Sequence, residues 1–391
     1  MTAGSSTAPL RISILCGGHS VFGLEVMALT AARELRDRGH EVFVVANAWN
    51  DGEFGRRLTA INIPFETMYF GKISKSLRPR ALSWTANALW HLPGARRRLK
   101  KHFNRFAPNV VIVHNRDFAL LANSMLRGRP TIFHVHELPL PSKATKWIYK
   151  TLDASTVAMI AVSRYIASRL ESFGVNERKI VVIHNGANST AGDQPDIRHD
   201  RTPTIGVVGQ IGEWKGHDDL IDALALLRKA GHNFRCAIFG RGDPQYTEAL
   251  QRKARELGIS DAIDWRGYVA NPAAIYSQID ISVVPSRFED PCPVVAIEAS
   301  LHGKPIVATS RGGLPELIVD GVTGFLVDAQ SPRQLAERLS ILLGDRELMA
   351  RMGEAGRRHA MAEFTATRMV DRIEALCRSV ATRDRISKIA V

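Results

Sequence analysis

The chain has 391 residues, 45% hydrophobic and 23% charged, with a formal net charge of +13. That length fits two domains, and that apolar content excludes a largely disordered chain. No stretch approaches the roughly 20 apolar residues of a membrane-spanning helix, and the start, MTAGSSTAPLRISILC, lacks the basic region and apolar run of a secretory signal; a cytoplasmic protein is expected.

An apolar strand over Arg11–Cys16 opens the chain and runs into a Gly-rich loop, CGGHSVFGLE, holding Gly17 and Gly18. A helix follows from Gly23, with Gly39 in a stop position. Further strands are predicted at 41–46, 109–114, Thr131–Val135, 157–162 and 180–184, with helical patterns between them. Ser163 has the chemistry of an N-cap for a helix from Arg164, and Gly174 that of its stop. A polar stretch, 188–203, marks the best domain boundary. The expected division is 1–188, 189–365, and a helix over 366–391 crossing back to the first domain.

A second series of strands follows at 204–209, 234–239, 262–265, 281–285, 305–308 and Gly324–Val327. Ser331, Pro332 and Gln334 read as N-cap, first helical position and capping-box partner. Such β-α alternation implies parallel sheets with helices on both faces, and ligands at the carboxyl ends of the strands.

Charge is concentrated. No acidic residue lies between Glu66 and Asp117, a window holding Lys72, Lys75, Arg78, Arg80, Arg96, Arg97, Arg98, Lys100, Lys101, Arg105 and Arg116. With Trp84, Trp90 and several leucines interleaved, 72–105 reads as a basic amphipathic segment for an anionic membrane surface. No nucleic-acid motif accompanies it, so no nucleic-acid partner is expected. The four cysteines, Cys16, Cys236, Cys292 and Cys377, match no metal or redox spacing.

Three loops after strands carry the chemistry. In PSRFEDPCPVVAIEASLHGKPIVATSRGGLPELI, Glu289 and Asp290 precede a helix opened by Pro293 or Val294 and containing Glu298, and Gly312-Gly313 opens another. Helix N-termini favour phosphate, and carboxylates accept hydrogen bonds from sugar hydroxyls. In VGQIGEWKGH, Lys215 brings a cation to a Gly-rich turn where a diphosphate would sit. The third is the Gly17-Gly18 loop. Neither it nor Gly240-Arg241-Gly242 fits the dinucleotide fingerprint, which disfavours an NAD enzyme. Asp218-Asp219 lies inside a helix pattern, and no Asp-x-Asp metal motif is present; no metal and no cofactor are expected.

These residues resemble the family 4 glycosyltransferases, retaining enzymes of GT-B fold, over nearly the whole chain. The resemblance rests on Asp290 and Glu298 with seven residues between, Gly303-Lys304-Pro305-Ile306-Val307-Ala308, and Gly312-Gly313-Leu314-Pro315-Glu316. Ala161-Val162-Ser163, Asn185-Gly186 and Arg266-Gly267-Tyr268-Val269 agree in order and place. It implies an α/β chain of two Rossmann-like, doubly wound domains facing a central cleft. Glu298 would then hold the nucleotide ribose, and Asp290 with Pro291, Cys292, Pro293 and Val294 the donor sugar. Lys215 would neutralise the diphosphate, Tyr268 and Val269 would line the base pocket, and Gly17 and Gly18 would approach the phosphates. His136, in HVHE, would sit beside the anomeric carbon. The catalytic set is therefore His136, Lys215 and Asp290. The family's diphosphate Arg is replaced by Gln210, for which Arg287 or Arg311 could substitute.

The function so implied is transfer of a hexose from a nucleotide-diphosphate sugar to a lipid-linked or oligosaccharide acceptor in polysaccharide or glycolipid assembly. Such an enzyme would sit peripherally on the inner face of the membrane. The alternatives are a catalytically idle nucleotide-sugar-binding scaffold and a sugar-nucleotide epimerase of the same fold.

Overall fold

In a computed structural model, residues 8–17, 20–48, 51–71, 79–188 and 201–382 are described. The chain divides into two compact units, Met1–His184 with Ala366–Val391, and Asn185–Thr365.

The first unit runs β1 (Arg11–Cys16), α1 (Gly23–Asp37), β2 (Glu41–Asn47), α2 (Glu53–Ala60), β3 (Phe65–Met68), α3 (Pro79–Phe106), β4 (Val110–Val113), α4 (Arg116–Leu126), β5 (Thr131–Val135), α5 (Lys143–Asp153), β6 (Ala158–Ala161), α6 (Arg164–Ser172) and β7 (Ile180–Val182). Its strands form one parallel sheet in the order β3-β2-β1-β4-β5-β6-β7. β4, β5 and β6 are buried at every position, as continuous apolar runs must be when helices cover both faces.

The second unit runs β8 (Thr204–Val208), α7 (His217–Lys229), β9 (Arg235–Phe239), α8 (Pro244–Glu256), β10 (Ile263–Gly267), α9 (Pro272–Tyr276), β11 (Ile281–Val284), α10 (Val294–Leu301), β12 (Ile306–Thr309), α11 (Leu314–Leu317), β13 (Gly324–Val327), α12 (Pro332–Gly344) and α13 (Arg346–Glu363). Its parallel sheet has the order β10-β9-β8-β11-β12-β13. Leu220 and Leu224 of α7 and Leu339 of α12 join strand residues Ile205, Ile238 and Val283 in its core.

Both sheets reverse strand order once, between β1 and β4 and between β8 and β11. At such a switch point the two following loops diverge to opposite faces and leave a crevice beyond the strand ends.

α14 (Ala366–Thr382) belongs to the first unit. It buries Met369, Val370, Ile373, Leu376 and Cys377 at helical spacing. Glu374 holds it to the end of α1, accepting from Arg38 at 3.0 Å and lying 3.1 Å from His40 Nε2, while Arg378 braces it at 2.8 Å. Arg38, Arg378 and His40 together hold the Glu374 carboxyl down at about 2, against the opposing effect of burial.

Several local expectations need correction. The division falls at Asn185, ahead of the polar stretch. Asn185 Nδ2 donates to the Cys292 carbonyl at 2.9 Å and Ala187 N to the Phe364 carbonyl at 3.0 Å, which ties this segment to the second unit. Residues 189–200 of the expected linker lie outside the described residues. β3 was not expected; it is a four-residue edge strand with Glu66 in it. Gln334 is no capping-box partner. Its Oε1 accepts from Asp328 N at 2.9 Å, and Ser331 makes no side-chain cap. Ser163 does cap α6, accepting from Ile166 N at 3.2 Å. The helix-stop glycines Gly39 and Gly174 adopt φ of 88° and 80°.

Candidate active site

In the second unit, the loops after β8 and β11 flank the switch point. Two glycines set their approach. At Gly216 (φ 71°) a Cβ would come within 1.9 Å of the Pro285 carbonyl oxygen, and at Gly312 (φ 57°) within 2.2 Å of the Asp290 carbonyl oxygen. Only glycine permits both the left-handed backbone and the contact. Gly313 N also donates to that Asp290 carbonyl at 2.8 Å. Thus the loops after β8, β11 and β12 are locked together before any ligand arrives.

On this frame Lys215 Nζ lies 2.6 Å from Asp290 Oδ2, both partly buried. The cation read as a diphosphate partner and the carboxylate read as a sugar partner are one ion pair. Partial burial makes the pair worth more than a solvated one and positions the lysine. Gln210, on the same loop as Lys215, is exposed. Neither nearby arginine is free to replace the missing one. Arg287 is held bidentately by Asp219, with two bonds of 2.8 Å, and Arg311 lies 3.8 Å from Glu289.

Glu298 sits inside α10. Burial pushes its carboxyl up to about 7, partly offset by Tyr276. The Tyr276 hydroxyl, at the end of α9, donates to the Val295 carbonyl at 2.9 Å and lies 3.4 Å from Glu298 Oε2. The Tyr276 ring stacks on His302 at 4.9 Å, and His302 Nδ1 lies 2.8 Å from the Glu298 carbonyl. Glu298 is therefore partly protonated near neutral pH. Tyr276 was not singled out from the sequence. Its only local signal is the Asn271-Pro272 helix start just before β11.

The Pro291–Val294 stretch divides. Cys292 is buried, its thiol pushed up to about 12 by burial, and its carbonyl is taken by Asn185. Pro293 precedes the first turn of α10, which no side chain caps. That turn can accept an anion. Tyr268, at the end of β10, is 55% exposed, with the Arg241 guanidinium 5.5 Å from its ring centroid. Val269 beside it is half-buried.

In the first unit, Gly17 (φ 133°) ends β1, and a Cβ there would meet Asn47 N at 2.9 Å. Gly18 lies outside the described residues. His136 follows β5. Its Nε2 lies 3.0 Å from Nδ1 of His114, which follows β4, and its ring centroid 3.9 Å from that of His134 in β5. Burial drives His114 down to about 3, and His134 and His136 well below the usual imidazole value. All three rings are neutral at physiological pH. Sequence reading singled out only His136; three histidines at the ends of two adjacent strands were the available signal. Glu25 of the same unit accepts from Phe22 N at 3.0 Å at the start of α1.

Comparison with known proteins defines the class. The family described as "Glycosyltransferase Family 4" matches residues 21–190, and "Glycosyl transferases group 1" matches residues 193–359. A D-inositol 3-phosphate glycosyltransferase of Corynebacterium aurimucosum is 32% identical over 88% of this chain and 88% of that protein. One from Corynebacterium glutamicum is 32% identical over 54% of each chain. Against that and several other curated relatives, the chain spans only about half of their length. The structure of Anabaena Alr3699/HepE in complex with UDP superposes with a TM-score of 0.79 at 20% identity, covering 94% of this chain and 99% of that one. A glycosyltransferase of Rickettsia africae gives 0.79 at 21%, covering 94% and 98%. The chain belongs to the group 1, family 4 glycosyltransferases, and its fold is GT-B.

Proposed function

We propose that this protein is a retaining, metal-independent glycosyltransferase. It moves a hexose from a nucleotide-diphosphate sugar to a lipid-linked or oligosaccharide acceptor. The observation that carries the reading is the Lys215–Asp290 ion pair at the β8/β11 switch point, with the partly protonated Glu298 on the adjoining helix. Relatives support it. Anabaena HepE was solved with UDP-glucose, and a Mycobacterium tuberculosis relative, 31% identical over 41% of this chain, is a GDP-mannose-dependent phosphatidylinositol monomannoside mannosyltransferase.

The diphosphate displaces Asp290 from Lys215. The lysine then neutralises the leaving group as its charge develops, which is electrostatic stabilisation by a preorganised group. Asp290, released, accepts from hydroxyls of the donor sugar. The first turn of α10 adds its N–H groups and positive dipole end. Glu298 accepts from the ribose hydroxyls, and Tyr268 and Val269 border the base. His136 takes part in transfer, the role that the family resemblance assigns to it. The departing phosphate takes the acceptor hydroxyl's proton in a front-face displacement, so no separate nucleophile-and-base pair is needed. Lys215 supplies the positive charge that a metal ion would otherwise bring to the diphosphate. The adjacent carboxylates Asp218 and Asp219 are engaged by Tyr246 at 2.7 Å and by Arg287.

The acceptor reading rests on α3, a 28-residue helix. Ala88, Ala95, Leu99 and Phe103 bury one face. The opposite face is exposed, apolar in its first half at Leu82, Leu89 and Trp90 (82% exposed), then basic at Arg97, Lys100 and Lys101. Apolar area and cations on one exposed stripe suit an anionic lipid surface. Lys72, Lys75 and Arg78 lie outside the described residues. No helix among the described residues is long and apolar enough to cross a membrane.

The test is donor binding and hydrolysis with UDP-, GDP-, ADP- and dTDP-linked sugars, with and without EDTA. One donor cleaved selectively in EDTA supports the proposal. Loss of turnover in EDTA removes metal independence. No donor bound at millimolar concentration by folded protein moves the assignment to an idle scaffold.

A further inference from the structure

The transferase reading uses one of three clustered histidines. His114 and His134 are 2% and 1% exposed. The hydrogen bond between His114 Nδ1 and His136 Nε2 accounts for one nitrogen of each ring. His114 Nε2 and both nitrogens of His134 have no partner among the described residues. Every neutral imidazole carries one N–H and one lone pair, so His134 buries a donor and an acceptor with nothing to satisfy them. Native interiors rarely tolerate this without a water or an ion to fill the role.

The geometry points to an ion. Each ring can offer one nitrogen such that all three lie within 4.8 Å of one another. Imidazole nitrogens around a tetrahedral ion at about 2.0–2.1 Å are roughly 3.4 Å apart. The His114–His136 pair is already at 3.0 Å, and binding an ion would draw the His134 nitrogen in from within 4.8 Å. Two rings come from adjacent positions on one face of β5 and its end, and the third from the end of the neighbouring β4, so the sheet fixes their spacing. His136 is partly exposed, which provides an entry path. The neutral form enforced by burial is the ligating form. The neighbouring carboxylate, Glu137, is engaged by Arg116 at 3.4 Å and by the Tyr149 hydroxyl at 3.4 Å.

We propose that His114, His134 and His136 form a three-imidazole site for one divalent transition-metal ion of the zinc class, with water in the fourth position. An all-nitrogen set of neutral ligands selects Zn2+, Co2+, Ni2+ or Cu2+ over the oxygen-seeking Mg2+ and Ca2+. The ion replaces the His114–His136 hydrogen bond: the ring that carries the shared proton moves it to its other nitrogen, and both facing nitrogens then offer lone pairs. If His136 acts in transfer as proposed above, the ion inhibits; that consequence rests on the transferase reading, whereas the site does not.

The test is titration of the full chain, free of any affinity tag, with Co2+, followed by visible absorption and back-titration with Zn2+. The expected result is one ion per chain, an intense band of four-coordinate Co2+ removed by one equivalent of Zn2+, and no response to Mg2+. His134→Gln and His114→Gln each weaken binding by about 100-fold or more, with folding verified by circular dichroism. Should a variant not fold, the wild-type spectrum alone decides. A weak octahedral spectrum, no binding at millimolar Co2+, or unchanged affinity in a folded variant overturns the site. A four-coordinate band in a protein that binds no nucleotide sugar keeps the site and removes the transferase reading; donor turnover without the band does the reverse.

Discussion

The carboxyl edges of the two sheets have the same backbone plan and opposite chemistry. At β8/β11 the second unit gathers a cation, a carboxylate 2.6 Å away and a buried glutamate pushed up to about 7. At β4/β5 the first unit gathers three imidazoles that burial keeps neutral. Each sheet leaves a crevice beyond its strand ends at its switch point, β1/β4 and β8/β11, but only partial exposure lets ions persist at such an edge. Lys215 and Asp290 keep 26% and 18% of their side-chain surface, whereas His114 and His134 keep almost none. One edge is suited to charged phosphate and the other to neutral hydroxyls or a ligand that brings its own charge.

The largest expected effect bears directly on that contrast. Lys215→Ala lowers kcat by about 100- to 1000-fold, the range seen when one preorganised charge-stabilising group is lost, and it weakens donor binding as well. His136→Asn lowers kcat and leaves donor Kd unchanged. Calorimetric titration of the donor beside steady-state kinetics separates the two. Equal losses of donor affinity in both variants would break the comparison.

Glu298→Gln comes next, weakening donor binding by about 10- to 100-fold, the cost of losing a charged hydrogen-bond acceptor. Its pH behaviour sharpens the point. Burial holds the folded carboxyl at about 7 against 4.5 for an ordinary glutamate. Between those values the folded chain holds a proton that the unfolded chain has released, so stability falls as pH rises, by about 3 kcal/mol in all. The thermal midpoint of Glu298→Gln relative to wild type therefore climbs from pH 5 to pH 8. A constant difference across that range would show that Glu298 is not held protonated by burial.

The smallest effect concerns α3. Lys101→Ala weakens sedimentation with anionic vesicles about fivefold, on the order of 1 kcal/mol for one surface cation. Turnover on a soluble acceptor is unchanged. Equal binding of wild type to neutral vesicles would remove the electrostatic basis for that surface.

Much of this was legible in order along the chain. The alternation of apolar strands and helical periods marked both sheets, because strands buried on two faces must be apolar throughout. β3 escaped because an edge strand needs only one buried row, and FETM has too little pattern to register. Lys215, Asp290 and Glu298 were legible as loop and helix positions after strands. Their pairing was not, because 75 residues separate Lys215 from Asp290. Arg287 was legible as a spare cation, yet Asp219, on another element, holds it.

Local chemistry along the sequence thus determined which segments become strands and helices, where glycines turn the chain, and which residue types reach the strand ends. These depend on side-chain period and backbone freedom, which neighbours in sequence set. Tertiary structure alone decided which of those groups meet, how deeply each is buried, and so which are charged. It drew Tyr276 to Glu298 and three histidines into one cluster. Solvation and electrostatics act through space, and the strand order that brings distant residues together follows from the packing of the whole sheet.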